Sequence, residues 1–209
     1  MKKILITTIS FILICFLIPI FFTKKFELKK ENNNVGADSI SAPQEQYNYK
    51  EYSTVNVLHT KTGEVETMPL DEYLYGVVAS EMPANFEQEA LKTQSIVART
   101  YTIYTIINNK KHPEADICDS HTCCQAWISK EERFEKWAEN EREANWQKIV
   151  NAVNSSQGKI ITYEGQVINA FFHASSGGKT ETVINVWGGD NYPYLQAIET
   201  SRRRRIYSI

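Results

Sequence analysis

Cysteine is scarce in this chain. Four residues in 209, Cys15, Cys118, Cys123 and Cys124, are too few for a fold built on disulfides. Charge of one sign is also missing: a formal net charge of −2 offers no general attraction to nucleic acid, so no nucleic-acid partner is expected. No internal repeat is present. What remains, 209 residues at 42% hydrophobic and 23% charged, fits one globular domain with appendages.

Long apolar runs are nearly absent too, with one exception. Ile4 to Phe22 is apolar apart from Thr7, Thr8, Ser10 and Pro19, and its 19 residues could span a bilayer as a helix. No A-x-A site of small residues follows it, which argues against a cleaved signal peptide. Residues 1–25 are therefore expected to be an uncleaved membrane anchor, with Cys15 inert inside it. Lys2 and Lys3 precede the run, and Lys24, Lys25, Lys29 and Lys30 follow it, so charge counting does not orient it. Residues 26–52 are polar, with Asn32, Asn33, Asn34, Gly36 and Pro43, and read as a flexible linker.

From Ser53 the pattern is that of an α+β domain with segregated elements. Residues 54–60 and 65–68 alternate as strands around a turn at Thr62-Gly63. Leu70, Leu74, Val77 and Val78 recur at helical spacing, with Asp71 as the expected N-cap. Pro83 ends that helix and forces Met82 to an extended conformation. Asn85 and Gln88 suggest a capping box for a second helix, apolar nearly all round from 90 to 107. Ser129 and Glu132 suggest another, opening a helix that runs towards Asn154, with Phe134 and Trp137 buried and Gly158 beyond its end. Residues 159–163 and 166–172 read as a hairpin about Glu164-Gly165. A Gly-rich loop over 173–180, a turn at Gly188-Gly189-Asp190 and a strand over 194–199 follow.

Three groups of residues carry chemistry. Glu81 stands at the corner between the two central helices, partly removed from water and open to a cleft. A general acid needs that kind of carboxyl. Its plain alternative is a capping or Arg99-pairing role. Arg99, a charge in an apolar helix, either pairs with Glu89, Glu81 or Glu72 or contacts substrate. Lys92 and Gln94 share its helix. His173, Ser175, Ser176, Gly177, Gly178 and Thr180 combine hydroxyls with close backbone approach, as the wall of a ligand-binding cleft would. His112, Cys118, His121, Cys123 and Cys124 are dense enough for tetrahedral zinc, with a disulfide from Cys118 as the rival.

The order Glu72-Tyr73-Leu74, Gly76-Val77-Val78, Glu81-Met82-Pro83, Glu89-Ala90-Leu91-Lys92, Gln94 and Ala98-Arg99-Thr100-Tyr101 resembles the stage II sporulation protein D family. Those proteins are peptidoglycan lytic transglycosylases of spore-forming bacteria. The resemblance implies that Glu81 is the catalytic acid, with no second carboxylate and no cofactor needed for the chemistry. It extends to the loop pattern His-Ala-x-Ser-Gly-Gly-x-Thr at 173–180. Some members hold a zinc through two His and two Cys. His112, Cys118 and Cys124-Gln125 match, but Cys123 stands where those members have His, so Cys123 or His121 would be the fourth ligand of a structural zinc. The resemblance also implies a single-pass membrane protein with a cytoplasmic N-terminus and an extracytoplasmic domain. Its expected partners are glycan strands, a cell-wall amidase of the engulfment machinery and that amidase's membrane partner. Related domains are described as amidase enhancers, so a non-catalytic glycan-binding module is the alternative. The match runs through Trp187-Gly188-Gly189-Asp190, Pro193-Tyr194-Leu195 and Glu199, then stops. The family's Gly-His-Gly-x-Gly-Met-Ser-Gln segment is absent. On this reading, residues 53–200 are the first part of a domain incomplete at its C-terminus, and 201–209, with Arg202 to Arg205, are a tail outside the family.

Overall fold

Val55 and Val57 alternate with exposed or half-buried neighbours, and the computed structural model buries both within the first strand of a hairpin. It describes residues 49–108, 111–186, 188 and 191–199. The expected anchor, most of the linker and the arginine tail lie outside the described residues. Among the described residues no helix is long and apolar enough to cross a membrane.

Strands β1 (Thr54–Leu58) and β2 (Val65–Pro69) pair antiparallel, Thr54 opposite Pro69 and Leu58 opposite Val65. Gly63, at φ 78°, takes a left-handed position in the turn that a side chain would strain. A two-residue strand, β3 (Ile117–Cys118), adds parallel to the far end of β1 and makes the sheet order β2-β1-β3. Sequence patterning carries no strand signal at Ile117 and Cys118. Two residues are too few to show period-2 alternation.

Helix α1 (Leu70–Glu81) follows β2 without a loop. Asp71 is not its cap: the N-cap position is Pro69, with no side-chain bond, and the Leu70 N–H donates to Ser53 O at 2.9 Å. Asp71 lies inside the first turn, where its carboxylate accepts from Arg99 at 3.1 Å and Gln157 at 2.7 Å. Met82 ends the helix in an extended conformation (φ −136°, ψ 136°), as Pro83 requires. Helix α2 (Gln88–Asn108) then crosses the interior. The Asn85–Gln88 box gives way to another contact, since the Gln88 amide donates to Lys148 O at 3.4 Å.

The interior face of α2 is not uniformly apolar. Gln94, Ser95, Arg99, Thr100, Thr102 and Thr105 are buried beside Leu91, Ala98 and Ile103. Its threonine hydroxyls donate back to carbonyls four residues earlier, for example Thr100 to Ile96 O at 2.6 Å, so they are buried satisfied.

The single helix expected from Ser129 to Asn154 is broken. Ser129 does cap α3 (Lys130–Glu135), accepting from Glu132 N at 3.1 Å. The chain then passes through a short 3₁₀ turn, Glu139–Glu141, into α4 (Arg142–Ser155). The reason is aromatic. Phe134 and Trp146 would be about 18 Å apart along one straight helix, yet their ring centroids lie 6.2 Å apart. Phe134, Trp137 and Trp146 are half-buried rather than buried, and bringing the Phe134 and Trp146 rings together requires the chain to turn between them.

Helices α1, α2 and α4 share the core, with Leu74 and Val77, Leu91 and Ala98, and Ile149 and Val153 all at 0% exposure. A small hairpin, β4 (Thr162–Tyr163) and β5 (Gln166–Val167), turns on Glu164 and Gly165, both at positive φ as a type I′ turn needs. It is shorter than the sequence pattern suggested. Beyond it are α5 (Val183–Val186) and a single antiparallel bridge, Lys179 to Glu199, where a longer strand was expected. The described residues thus make one mixed helix and strand domain of the α+β class.

Candidate active site and metal cluster

Glu81 is the last residue of α1, where Pro83 forces the chain out of helix. Its side chain is half-buried. Its Oε1 accepts a hydrogen bond from the backbone N–H of Ala126 at 2.8 Å. A residue 45 positions away therefore fixes the carboxylate, and this contact has no signature in local sequence.

The segment that supplies this N–H also carries the cysteines. His112, Cys118, Cys123 and Cys124 bring one ligand atom each to within 4.8 Å of one another. Nε2 of His112 lies 3.5 Å from Cys124 Sγ and 3.6 Å from Cys123 Sγ, and the two sulfurs are 3.9 Å apart. A tetrahedral ion with metal–sulfur bonds near 2.3 Å and metal–nitrogen bonds near 2.05 Å has S–N edges of about 3.5 Å and S–S edges of about 3.8 Å. These three edges fit that polyhedron, and with Cys118 beside them the four residues form a candidate metal site. Cys123 belongs to the cluster, whereas His121 is exposed and outside it. Cys118, Cys123 and Cys124 are all free thiols. Burial, with neighbouring thiols, pushes the Cys124 thiol up to about 12 and the Cys118 thiol up from its ordinary value. A bound cation must therefore drive their deprotonation, and uptake of metal is expected to release protons and to strengthen as pH rises. Titration calorimetry in buffers of different ionisation enthalpy measures that release.

Hydrogen bonds fix this loop to the sheet. Cys123 and Cys124 N–H groups donate to Ser120 O at 3.2 and 2.8 Å. The Asp119 carboxylate accepts from Thr60 N at 3.0 Å and Thr60 Oγ1 at 2.6 Å, and meets His59 Nδ1 at 3.3 Å. Burial opposes ionisation of Asp119, but the two Thr60 bonds and His59 outweigh it and hold its carboxyl below the ordinary value of 3.8. The sign follows from that depression. The stabilisation is complete above the unfolded-state value and is lost as pH falls through the lower folded value. Asp119→Asn is expected to lower the Tm at neutral pH and to narrow the gap from the parent protein as the medium is acidified. Thermal melts across the acid range measure it; a constant gap at every pH refutes it.

Between Cys124 and Ala126 lies Gln125, 1% exposed. Its Nε2 donates to Tyr73 Oη on α1 at 3.0 Å and to Thr102 Oγ1 on α2 at 2.9 Å. Burial raises the Tyr73 phenol far above its ordinary value, so it stays neutral. In the sequence Gln125 stands only as part of the Cys124-Gln125 match. Its signal there is a polar residue between two candidate ligands and a tryptophan, and only the fold shows that it is buried.

The other expected site residues are not all brought to Glu81. Lys92 pairs with Glu89 at 2.6 Å on the surface of α2, and Gln94 is buried. Arg99, at 0% exposure, does not face a cleft. Its guanidinium donates to Ser156 O at 2.7 Å, Val153 O at 3.3 Å and Lys159 O at 3.4 Å, and pairs with Asp71 rather than with Glu72, Glu81 or Glu89. Its work is to tie the end of α4 to the start of α1. In the 173–180 loop, His173, Ser175 and Gly177 are exposed, and Ser176, Gly178 and Thr180 are half-buried. Gly178 sits at φ 104°, and Thr180 N donates to Ile198 O at 2.8 Å. Among the described residues no hydrogen bond joins this loop to Glu81.

A cavity of about 530 Å³ opens elsewhere, between β2, α1 and α4, lined by Glu66, Glu72, Tyr75, Gly76, Trp127 and Trp146. A Cβ on Gly76 would come within 2.3 Å of Trp127 Nε1 and 2.6 Å of Ile128 O, so only glycine lets the indole pack on α1. None of the expected site residues lines this cavity.

Comparison with known proteins bears on the same residues. A family model described as SpoIID, Stage II sporulation protein, matches residues 58–163, which include Glu81 and the whole metal cluster. Stage II sporulation protein D of Bacillus subtilis (strain 168) is 39% identical over 149 residues, 70% of this chain and 43% of that protein. The protein of the same name from Bacillus amyloliquefaciens is 38% identical over the same shares. An amidase enhancer of Bacillus subtilis (strain 168) is 31% identical over 133 residues, 64% of this chain and 16% of that protein. The chain thus spans less than half the length of these relatives.

Proposed function

Because the chain belongs to the stage II sporulation protein D family, we propose that its domain acts on the glycan strands of peptidoglycan during sporulation, as a lytic transglycosylase with Glu81 as its acid and base. The observation that carries this is the placement of one carboxylate at a helix end, half-buried and held by a backbone N–H at 2.8 Å.

One such group suffices for this reaction. The C6 hydroxyl oxygen of N-acetylmuramic acid attacks its own C1, and the bond from C1 to the N-acetylglucosamine oxygen breaks. That leaving oxygen takes the proton of Glu81. The carboxylate then takes the proton of the C6 hydroxyl, which restores the acid and leaves a 1,6-anhydro-muramyl end with no water consumed. With Oε1 engaged by Ala126, Oε2 is the oxygen free to exchange the proton. His173, Ser175, Ser176, Gly177, Gly178, Thr180, Lys92 and Gln94 remain proposed glycan contacts, whereas the partners of Arg99 support a structural role.

We further propose zinc as the metal of the cluster and an extracytoplasmic domain held to the membrane through residues 1–25. The donor set of one imidazole and three thiols supports zinc. It would hold the loop that carries Ala126 and take no part in proton transfer. Protein purified without chelator is expected to carry about one zinc per chain, lost in Cys124→Ser. Metal analysis finding none in the parent protein sinks this assignment.

The likeness to an amidase enhancer favours one second reading, a glycan-binding module that stimulates a cell-wall amidase. The test for both is digestion of glycan stripped of peptide, followed by mass spectrometry of the ends. Anhydro-muramyl ends support the enzyme. Reducing ends would make it a hydrolase instead. Intact glycan that still binds the protein, with faster amidase turnover in its presence, supports the enhancer.

A further inference from the structure

We propose that Gln125 is a positioning residue that aims the Ala126 N–H at Glu81 and so sets the place of the acid. The inference rests on the reading of Glu81 as the catalytic carboxylate. It goes beyond that reading by naming what holds the group.

The geometry is a short chain of contacts. Gln125 is anchored at two points in the interior, to Tyr73 at 3.0 Å and to Thr102 at 2.9 Å. Tyr73 lies on the helix that ends in Glu81, and Thr102 lies on the neighbouring helix. Thr102 is itself fixed, because its hydroxyl donates to Ala98 O at 2.8 Å. Both amide protons of Gln125 are therefore spent on the two helices between which Glu81 emerges. The next backbone N–H, that of Ala126, reaches the carboxylate at 2.8 Å. A side chain pinned to two helices leaves its own backbone little freedom to rotate or slide, so the Ala126 N–H keeps its direction.

Packing alone does not account for a glutamine here. Its Oε1 is buried without a hydrogen-bond partner among the described residues. An orphan acceptor is costly, and an unbranched apolar side chain would fill the same space without it. Polar networks kept inside a core at such a cost gain orientation rather than stability. Gln125 also adjoins Cys124, so the same pin steadies one wall of the metal cluster.

The test uses Gln125→Met in the full chain, with Tyr73→Phe as a second variant that removes one anchor and leaves Gln125 in place. Two readouts are taken: amide hydrogen exchange at Ala126 by NMR, and kcat and KM on stripped glycan. The expected result in Gln125→Met is faster exchange at Ala126 with unchanged exchange at Leu74 and Val77, and kcat lower by about 10- to 100-fold at constant KM, the scale of a misplaced reacting group. Tyr73→Phe should show the same selective change to a smaller degree, and it carries the test if Gln125→Met does not fold. Unchanged Ala126 exchange in both variants overturns the proposal whatever the activity. So does a uniform rise at all amides, which would mean that Gln125 only stabilises the fold. Selective loosening of Ala126 in a chain that cleaves no glycan in any form leaves the positioning role standing and removes the catalytic reading of Glu81 instead.

Discussion

Glu81→Gln is expected to lower release of anhydro-muramyl ends by about 100-fold or more while glycan binding survives, the usual scale for a positioned general acid. The substitution keeps the shape of the side chain, and a Gln oxygen can still accept from Ala126 N. What it removes is the transferable proton, so the leaving oxygen departs as an alkoxide. No second carboxylate is assigned to take over. Glu81→Asp is expected to be poor for a geometric reason: the carboxyl retreats by one methylene from the leaving oxygen, or gives up its bond to Ala126. End-group analysis of stripped glycan, with a parallel glycan-binding assay, measures both halves of this expectation. Undiminished release by Glu81→Gln would sink the assignment.

Arg99→Met is expected to cost about 3–5 kcal/mol of folding stability, the scale for removing one partner of a buried ion pair. The cost arises from the groups that lose their partner. Half-buried Asp71 loses the guanidinium it accepts from, and the carbonyls of Val153, Ser156 and Lys159 lose their Arg99 donor at the end of α4. A helix C-terminus is the end at which a cation is favoured, so the loss includes that interaction. The cost would consume a large part of a typical total of about 5–15 kcal/mol. Urea unfolding followed by circular dichroism measures it. A variant as stable as the parent would mean that the network contributes only specificity. Asp71→Asn combined with Arg99→Met should be less damaging than the two single losses added together, because both changes remove the same ion pair.

Much of this domain was legible in the amino-acid order. The hairpin of β1 and β2, the end of α1 at Pro83, the Ser129 cap and the turn at Glu164-Gly165 are local events, each decided by residues within a few positions of one another. Glu81 was legible because a proline two residues later sets a helix end and places a carboxyl there. The cysteine and histidine spacing showed that a ligand cluster was available, and left Cys123 and His121 as alternatives.

Tertiary structure decided what spacing cannot encode. It brought Cys123 into the cluster and left His121 in solvent. It took Asp71 from a capping role to pair with an arginine 28 residues away, and it turned the chain between Phe134 and Trp146 so that both rings share one surface. It set the Ala126 N–H against Glu81 across 45 residues, with Gln125 pinned beside it. Each of these results from two distant segments competing for one place in a close-packed interior, where a buried charge must find a partner and a large ring must find room. Sequence shows which residues have those needs, and only the folded arrangement shows which neighbour meets them.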